Sequence, residues 1–213
     1  MTNPENIKGM ARYGINSEGT LGIQVFKLRD LAREIGKNHN LALELYDSGI
    51  HEAKILASMI DETEEVTEKQ MDDWALKFDS WDVCDGVCHL FENTPFMEKK
   101  IIEWTKRKEE FVKRAGFDLI VYKAVHNKKA QDSEFIKYLQ IIKRESIDDR
   151  NYVKKAVNWA LRNIGKRNMK LRTEALKTAE EIKKIDNRAA RWIANDAIRE
   201  LNKPKIIKRI KNG

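Results

Sequence analysis

Between Pro4 and Pro95, and again between Pro95 and Pro204, the chain has no proline, so two long stretches hold nothing that must stop a helix. Glycine is sparse too. Four of the ten glycines crowd between positions 9 and 22, and few remain to interrupt the rest of the chain. Period-two alternation of apolar residues is scarce, which leaves little material for strands. No apolar run approaches the roughly 20 residues that cross a bilayer, and the opening MTNPENIKGM lacks the basic and apolar blocks of a secretory leader. The two cysteines, Cys84 and Cys88, are too few for a disulfide framework. A reduced, cytoplasmic protein without a membrane partner is expected. Phosphate-binding glycine loops, a serine elbow and a Cys–His nucleophile pair are all missing, and no cofactor is expected.

What is abundant is Ala, Leu, Glu, Lys and Arg, a helix-forming set. The net charge of +7 is unevenly spread. Residues 1–106 carry 12 Lys or Arg against 20 Asp or Glu, whereas residues 107–213 carry 29 against 14. A swing of this size points to a polyanionic partner for the C-terminal half; a lysine-rich solvated surface is the plainer alternative.

Residues 1–22 read as a short helix or irregular arm. Helical patterns come next over 23–36, 41–46 and 51–60, and from Thr67 to Phe78. The next helix starts at an Asp79 or Ser80 cap and is closed by Pro95. Further helices are expected over 96–105, 107–125, 132–145, 149–164, 169–185 and 187–201, with 202–213 as a basic tail that frays. FVKRAGFDLIVY, YVKKAVNWALRNI and RAARWIANDAIREL repeat one theme, a basic pair or near-pair, then Ala and a mixed apolar run, at intervals of roughly 30–40 residues. The expected fold is therefore all-α: a solenoid of antiparallel helix pairs, curved with a basic concave face, in one domain spanning 1–213. A non-repetitive bundle is the competing architecture.

In the helix around Trp159, Val153, Ala156, Val157, Ala160 and Ile164 make an apolar side. Lys155, Trp159, Arg162 and Lys166 fall on a different, basic stripe. A tryptophan sharing a stripe with cations can stack on a sugar or base while its neighbours meet phosphates; a boundary tryptophan covered by lysine stems is the alternative. Arg114, beside Lys113, is another candidate phosphate contact, since guanidinium grips phosphate bidentately. Trp81 and Asp85 lie four residues apart on one helix face, where a carboxylate beside an electron-rich ring can stabilise developing positive charge. The plainer reading makes Trp81 core and Asp85 a surface hydrogen-bond acceptor. Cys84, Asp85, Cys88 and His89 resemble a partial metal set, but His39, His51 and His126 have no ligand spacing to them. No metal is expected, and the cysteines read as small buried hydrophobes.

These residues together resemble the bacterial AlkD-like DNA alkylation repair glycosylases, which are built of HEAT-like helical repeats. The resemblance runs from MARYG at Met10 to about Leu201. It is carried by LGIQ at Leu21–Gln24 with Arg29, SWDVCD at Ser80–Asp85, VKRA around Arg114 and VKKAVNWALR around Trp159. It implies that Trp81, Asp85 and Trp159 form the excision site, that Arg114 faces the DNA backbone and that Tyr13 lies near the bound duplex. The implied activity is hydrolysis of cationic N3- and N7-alkylated purines from duplex DNA without base flipping, by a monomer, with no strand-cleaving lyase step. Only twelve residues precede Tyr13, so the longer N-terminal helical extension of such enzymes is expected to be absent or cut down. Shorter members resemble a branch in which excision is lost and DNA binding kept. A protein-binding helical scaffold is the remaining class.

Overall fold

The computed structural model describes residues 2–212, and among them thirteen α-helices and no strand are found. Local chemistry marks six of the helix starts. Asn3, Asn38, Thr67, Asn168 and Asn187 each accept a backbone N–H of the following turn, the usual satisfaction of an orphan helix donor. Gln131 and Glu134 close a reciprocal capping box. The chain forms two compact units, Met1–Lys99 and Lys100–Gly213.

The first unit contains α1 (Pro4–Arg12), α2 (Val25–Ile35), α3 (His39–Asp47), α4 (His51–Ile60), α5 (Glu68–Ala75) and α6 (Trp81–Phe91). Helix α7 (Met97–Trp104) begins in it. Helix α4 is the hub, packing against α2, α3 and α6. Tyr46 and Trp74 stack face to face at 3.9 Å, and the Tyr46 hydroxyl donates to the Trp74 carbonyl at 2.8 Å. Burial pushes the Tyr46 hydroxyl well above its ordinary pKa, so it stays protonated as a donor. Cys84 and Cys88 are fully buried on α6 with no disulfide between them, as expected of small apolar side chains. The N-terminal arm is partly helical: α1 starts on Pro4 and is tied back through Asn3 N–H to the Leu21 carbonyl and Asn6 Nδ2 to the Gly22 carbonyl.

The second unit holds α8 (Glu110–His126), α9 (Asp132–Glu145), α10 (Asn151–Gly165), α11 (Met169–Lys183), α12 (Arg188–Leu201) and α13 (Pro204–Asn212). Helices α8, α10 and α12 pack in sequence as one layer, and α9 and α11 pair with each other against α10 and α12 as the second. This is the expected stack of antiparallel two-helix repeats. The period shows in the polar contacts between repeats. Arg114 to Tyr152, Lys143 to Glu181, Asn158 to Asp196 and Arg162 to Glu200 are each 38 residues apart. Each repeat thus hands a polar link to the next at the same spacing. On α10 the apolar side expected from spacing (Val153, Ala156, Val157, Ala160, Ile164) is completely buried. The basic tail differs from expectation. Residues 204–212 form α13, because Ile206, Ile207 and Ile210 share one helical face and Ile210 is buried.

Candidate nucleic-acid interface

In the first unit, the opening turn of α4 works as a strut. The Glu52 carboxylate is buried and accepts three consecutive backbone amides, from Leu21 at 2.8 Å, Gly22 at 2.7 Å and Ile23 at 3.1 Å. Gly22 sits at φ +77°, and a Cβ there would lie 2.4 Å from the Asn3 carbonyl oxygen, so only glycine fits. The LGIQ motif is thereby explained as an anion-cradling loop turned inward onto the protein's own carboxylate. His51, next to Glu52, donates its backbone N–H to the Gly19 carbonyl at 3.0 Å, and its Nε2 lies 2.9 Å from Asp82 Oδ2. Asp82 is in the first turn of α6. Burial would raise its carboxyl, but hydrogen bonds from His51 and Ser80 outweigh this and hold it below the usual value. Lys54 Nζ reaches Asp79 at 3.1 Å. The first turn of one helix thus fixes both the N-terminal loop and the start of α6.

Trp81 and Asp85 stand on successive turns of that α6 start, which Ser80 precedes. Both are half-buried. The Trp81 indole N–H donates to the Tyr13 carbonyl at 3.0 Å, which orients the ring, and the Tyr13 side chain is 76% exposed. Trp81, Asp85 and Tyr13 are therefore brought together. His51, Glu52 and Lys54, which hold them, carry no motif that the sequence singles out, since their partners are 25 to 31 residues away.

In the second unit, the candidate cations divide sharply by accessibility. Arg114 is only 6% exposed; its Nη1 donates to the Tyr152 carbonyl at 3.1 Å and its Nε lies 3.3 Å from Asp118. Lys113 is also buried, with Nζ 2.6 Å from Glu145 and 2.9 Å from Asp148. The reason is that α8 is covered on every side, with each residue from Val112 to Val121 buried. Apolar residues distributed all round FVKRAGFDLIVY are the sequence signal for that, in contrast to a one-sided stripe. Arg162 on α10 and Lys166, its C-cap, both pair with Glu200 of α12. Burial would raise the Glu200 carboxyl, and hydrogen bonds from Lys166 and Arg162 overcome it and lower it. Lys155 is exposed, and Trp159 is half-buried with its ring 6.3 Å from Tyr122 in an edge contact.

The Lys113 cluster has a pH consequence. Burial would raise the Asp148 carboxyl, but hydrogen bonds from Arg150 and Lys113 prevail and hold it at about 2, against the usual 3.8. A depressed carboxylate pKa stabilises the fold above 3.8, and the contribution fades as pH falls through about 2. With the side chain only 11% exposed, the shift corresponds to about 2 kcal/mol. Asp148→Asn is expected to lower urea-derived stability by about 2 kcal/mol at neutral pH and by far less near pH 2. An equal loss at both would assign the effect to packing and not to charge.

Stacked two-helix repeats define a HEAT-like helical-repeat protein. A solved structure described as "A new family of proteins related to the HEAT-like repeat DNA glycosylases with affinity for branched DNA structures" shares the fold, with a TM-score of 0.77 over 93% of this chain and 90% of that chain, at 19% identity. Residues 1–201 match the family model described as DNA alkylation repair enzyme, and the chain belongs to that family. No curated protein matches it. No helix among the described residues is long and apolar enough to cross a membrane.

Proposed function

We propose that residues 1–213 act as one cytoplasmic, monomeric DNA-binding domain that hydrolyses the N-glycosidic bond of cationic N3- and N7-alkylpurines in duplex DNA. The observation that carries this reading is the Trp81–Asp85 pair, half-buried on successive turns and fixed from behind by Tyr13 and the α4 strut. An alkylated purine is already a cation, so it departs without a general acid. As the C1′–N bond breaks, its electron pair moves to the purine, which leaves neutral, and positive charge develops on the deoxyribose. Asp85 stabilises that charge and orients the water that adds at C1′, taking up or passing on its proton. The indole face of Trp81 lies against the sugar, and Trp159, in the second unit, is a separate aromatic face for the DNA. Because the base need not enter a pocket, it stays in the stack, unlike the flipped base of most base-modifying enzymes.

Phosphate contacts in this reading fall to the accessible Lys155 and, on partner exchange with Glu200, to Arg162 and Lys166. Lys113 and Arg114 are buried against Glu145, Asp148 and Asp118 and would meet phosphate only on exchanging those partners. This same burial favours one second reading, a DNA binder without excision, and the similar solved protein is described as having affinity for branched DNA structures. The test is single-turnover release of N7-methylguanine from alkylated duplex at saturating protein. Release well above the spontaneous rate is expected. Release at the spontaneous rate from folded protein would remove the excision reading and leave the binder, for which a four-way junction should compete better than linear duplex.

A further inference from the structure

The sequence places its basic stripe on α10, but carboxylates of α12 neutralise much of it. Arg162 pairs with Glu200 and lies 3.7 Å from Asp196, and Lys166 pairs with Glu200. Uncompensated cations accumulate one turn further on. A cleft of about 700 Å³ opens at the C-terminal ends of α8 and α10, walled by the 128–130 loop and by α13. Lys128, Arg167 and Arg209 line it, with Lys166 at its edge and Asp132 as the only acidic residue among its lining. Arg209 has no ion pair among the described residues, and neither do Lys205, Lys208 and Lys211 on the same helix. Lys128 Nζ donates to the Val125 carbonyl, a neutral acceptor that leaves its charge unbalanced. Arg167 spends its guanidinium N–H groups on the carbonyls of Ala124, Asn127 and Ala130 at 2.9, 2.6 and 3.1 Å, and it lies over the Phe135 ring at 4.5 Å. It is rigidly held and, among the described residues, paired with no carboxylate.

We propose that this cleft binds a backbone phosphate of nucleic acid, as a second anchor beyond the site described above. The inference rests on the DNA-binding reading but not on excision. Its position fits a strand passing along α10. Asn163, in the cleft wall, donates to the Trp159 carbonyl at 2.9 Å. Trp159 and Gly165, the last residue of α10, are six residues apart, about 9 Å along the helix axis, or about three nucleotides of B-DNA, and Lys166 and Arg167 follow directly. A basic amphipathic helix such as α13 can also lie on an anionic membrane. Here the isoleucine face is turned to the protein, with Ile210 buried and Ile206 and Ile207 half-buried, so the helix offers charge without an apolar face for acyl chains.

The experiment is equilibrium binding of the full chain to a short undamaged duplex across a salt series. It compares the native chain, Lys128→Gln/Arg209→Gln, and a control, Lys137→Gln/Lys177→Gln, which removes the same charge from positions on α9 and α11 away from the cleft. The cleft variant is expected to bind on the order of tenfold more weakly at low salt, and its slope of log K against log salt should be shallower by about 2. The control should keep the native slope. A native slope in the cleft variant, or an equal loss in the control, overturns the proposal while the DNA reading stands. A native chain that binds no duplex overturns the DNA reading itself. Sedimentation with phosphatidylserine–phosphatidylcholine vesicles closes the remaining route. Vesicle binding that the cleft variant loses, with its DNA slope unchanged, would make this a membrane site.

Discussion

Asp85→Asn should reduce the single-turnover rate of N7-methylguanine release by about 10²–10³-fold, the scale on which loss of one preorganised electrostatic group is felt. The side chain keeps its size and its capacity to accept hydrogen bonds, but the negative charge facing the developing oxocarbenium ion is gone. Duplex affinity should be retained, because the aspartate repels phosphate and contributes nothing to ground-state attraction. Affinity that holds while the rate collapses marks an interaction made only in the transition state. A variant that releases base at the native rate would show that Asp85 is a helix-surface acceptor and would return Trp81 to a packing role. The half-buried position matters to the size of the effect, since a carboxylate in open water would be screened and its removal barely measurable.

Glu52→Ala should lower the unfolding free energy by about 3–5 kcal/mol, measured from urea curves at neutral pH. Three amides that now converge on one buried carboxylate would lose their acceptor, and Gly22 is too tightly apposed to Asn3 for the loop to rearrange easily. Glu52→Gln keeps one carbonyl acceptor and should recover part of the loss. Hydrogen exchange should show Leu21–Ile23 and α1 opening first, because the cradle is what joins that arm to α4. A loss below about 1 kcal/mol would mean that water satisfies these amides and that the arm is held by other contacts.

Local physical chemistry makes most of the fold legible. The Thr67 start, the Asp79 or Ser80 cap, the two proline-free stretches and the period of the apolar residues put the starts and ends of α2 through α12 within a few residues of their observed positions. These signals involve neighbours within one or two helical turns, and the sequence displays those neighbours directly. The repeat theme around α8, α10 and α12 is visible for the same reason. The 38-residue links that join the repeats are not, because each depends on two helices being side by side. The tail reads as a fraying end because the charges of Lys203–Lys211 are conspicuous and its three isoleucines are not.

The candidate residues divide along the same line. Trp81 and Asp85 share a face of α6 by spacing alone, and that much is set by the helical period. Which cations are available was decided only by tertiary structure. Arg114 and Lys113 look like surface charge until α8 is packed on all sides, and Arg162 and Lys166 look free until Glu200 of α12 comes beside them. A charge in a sequence is a formal unit whose meaning depends on what lies within a few ångströms, and that neighbour is commonly more than thirty residues away. The sequence by itself therefore determined the helices, their repeat and the family resemblance carried by Trp81, Asp85 and Trp159. Packing between repeats determined which charges are met by carboxylates and which, at Lys128 and Arg209, meet none among the described residues.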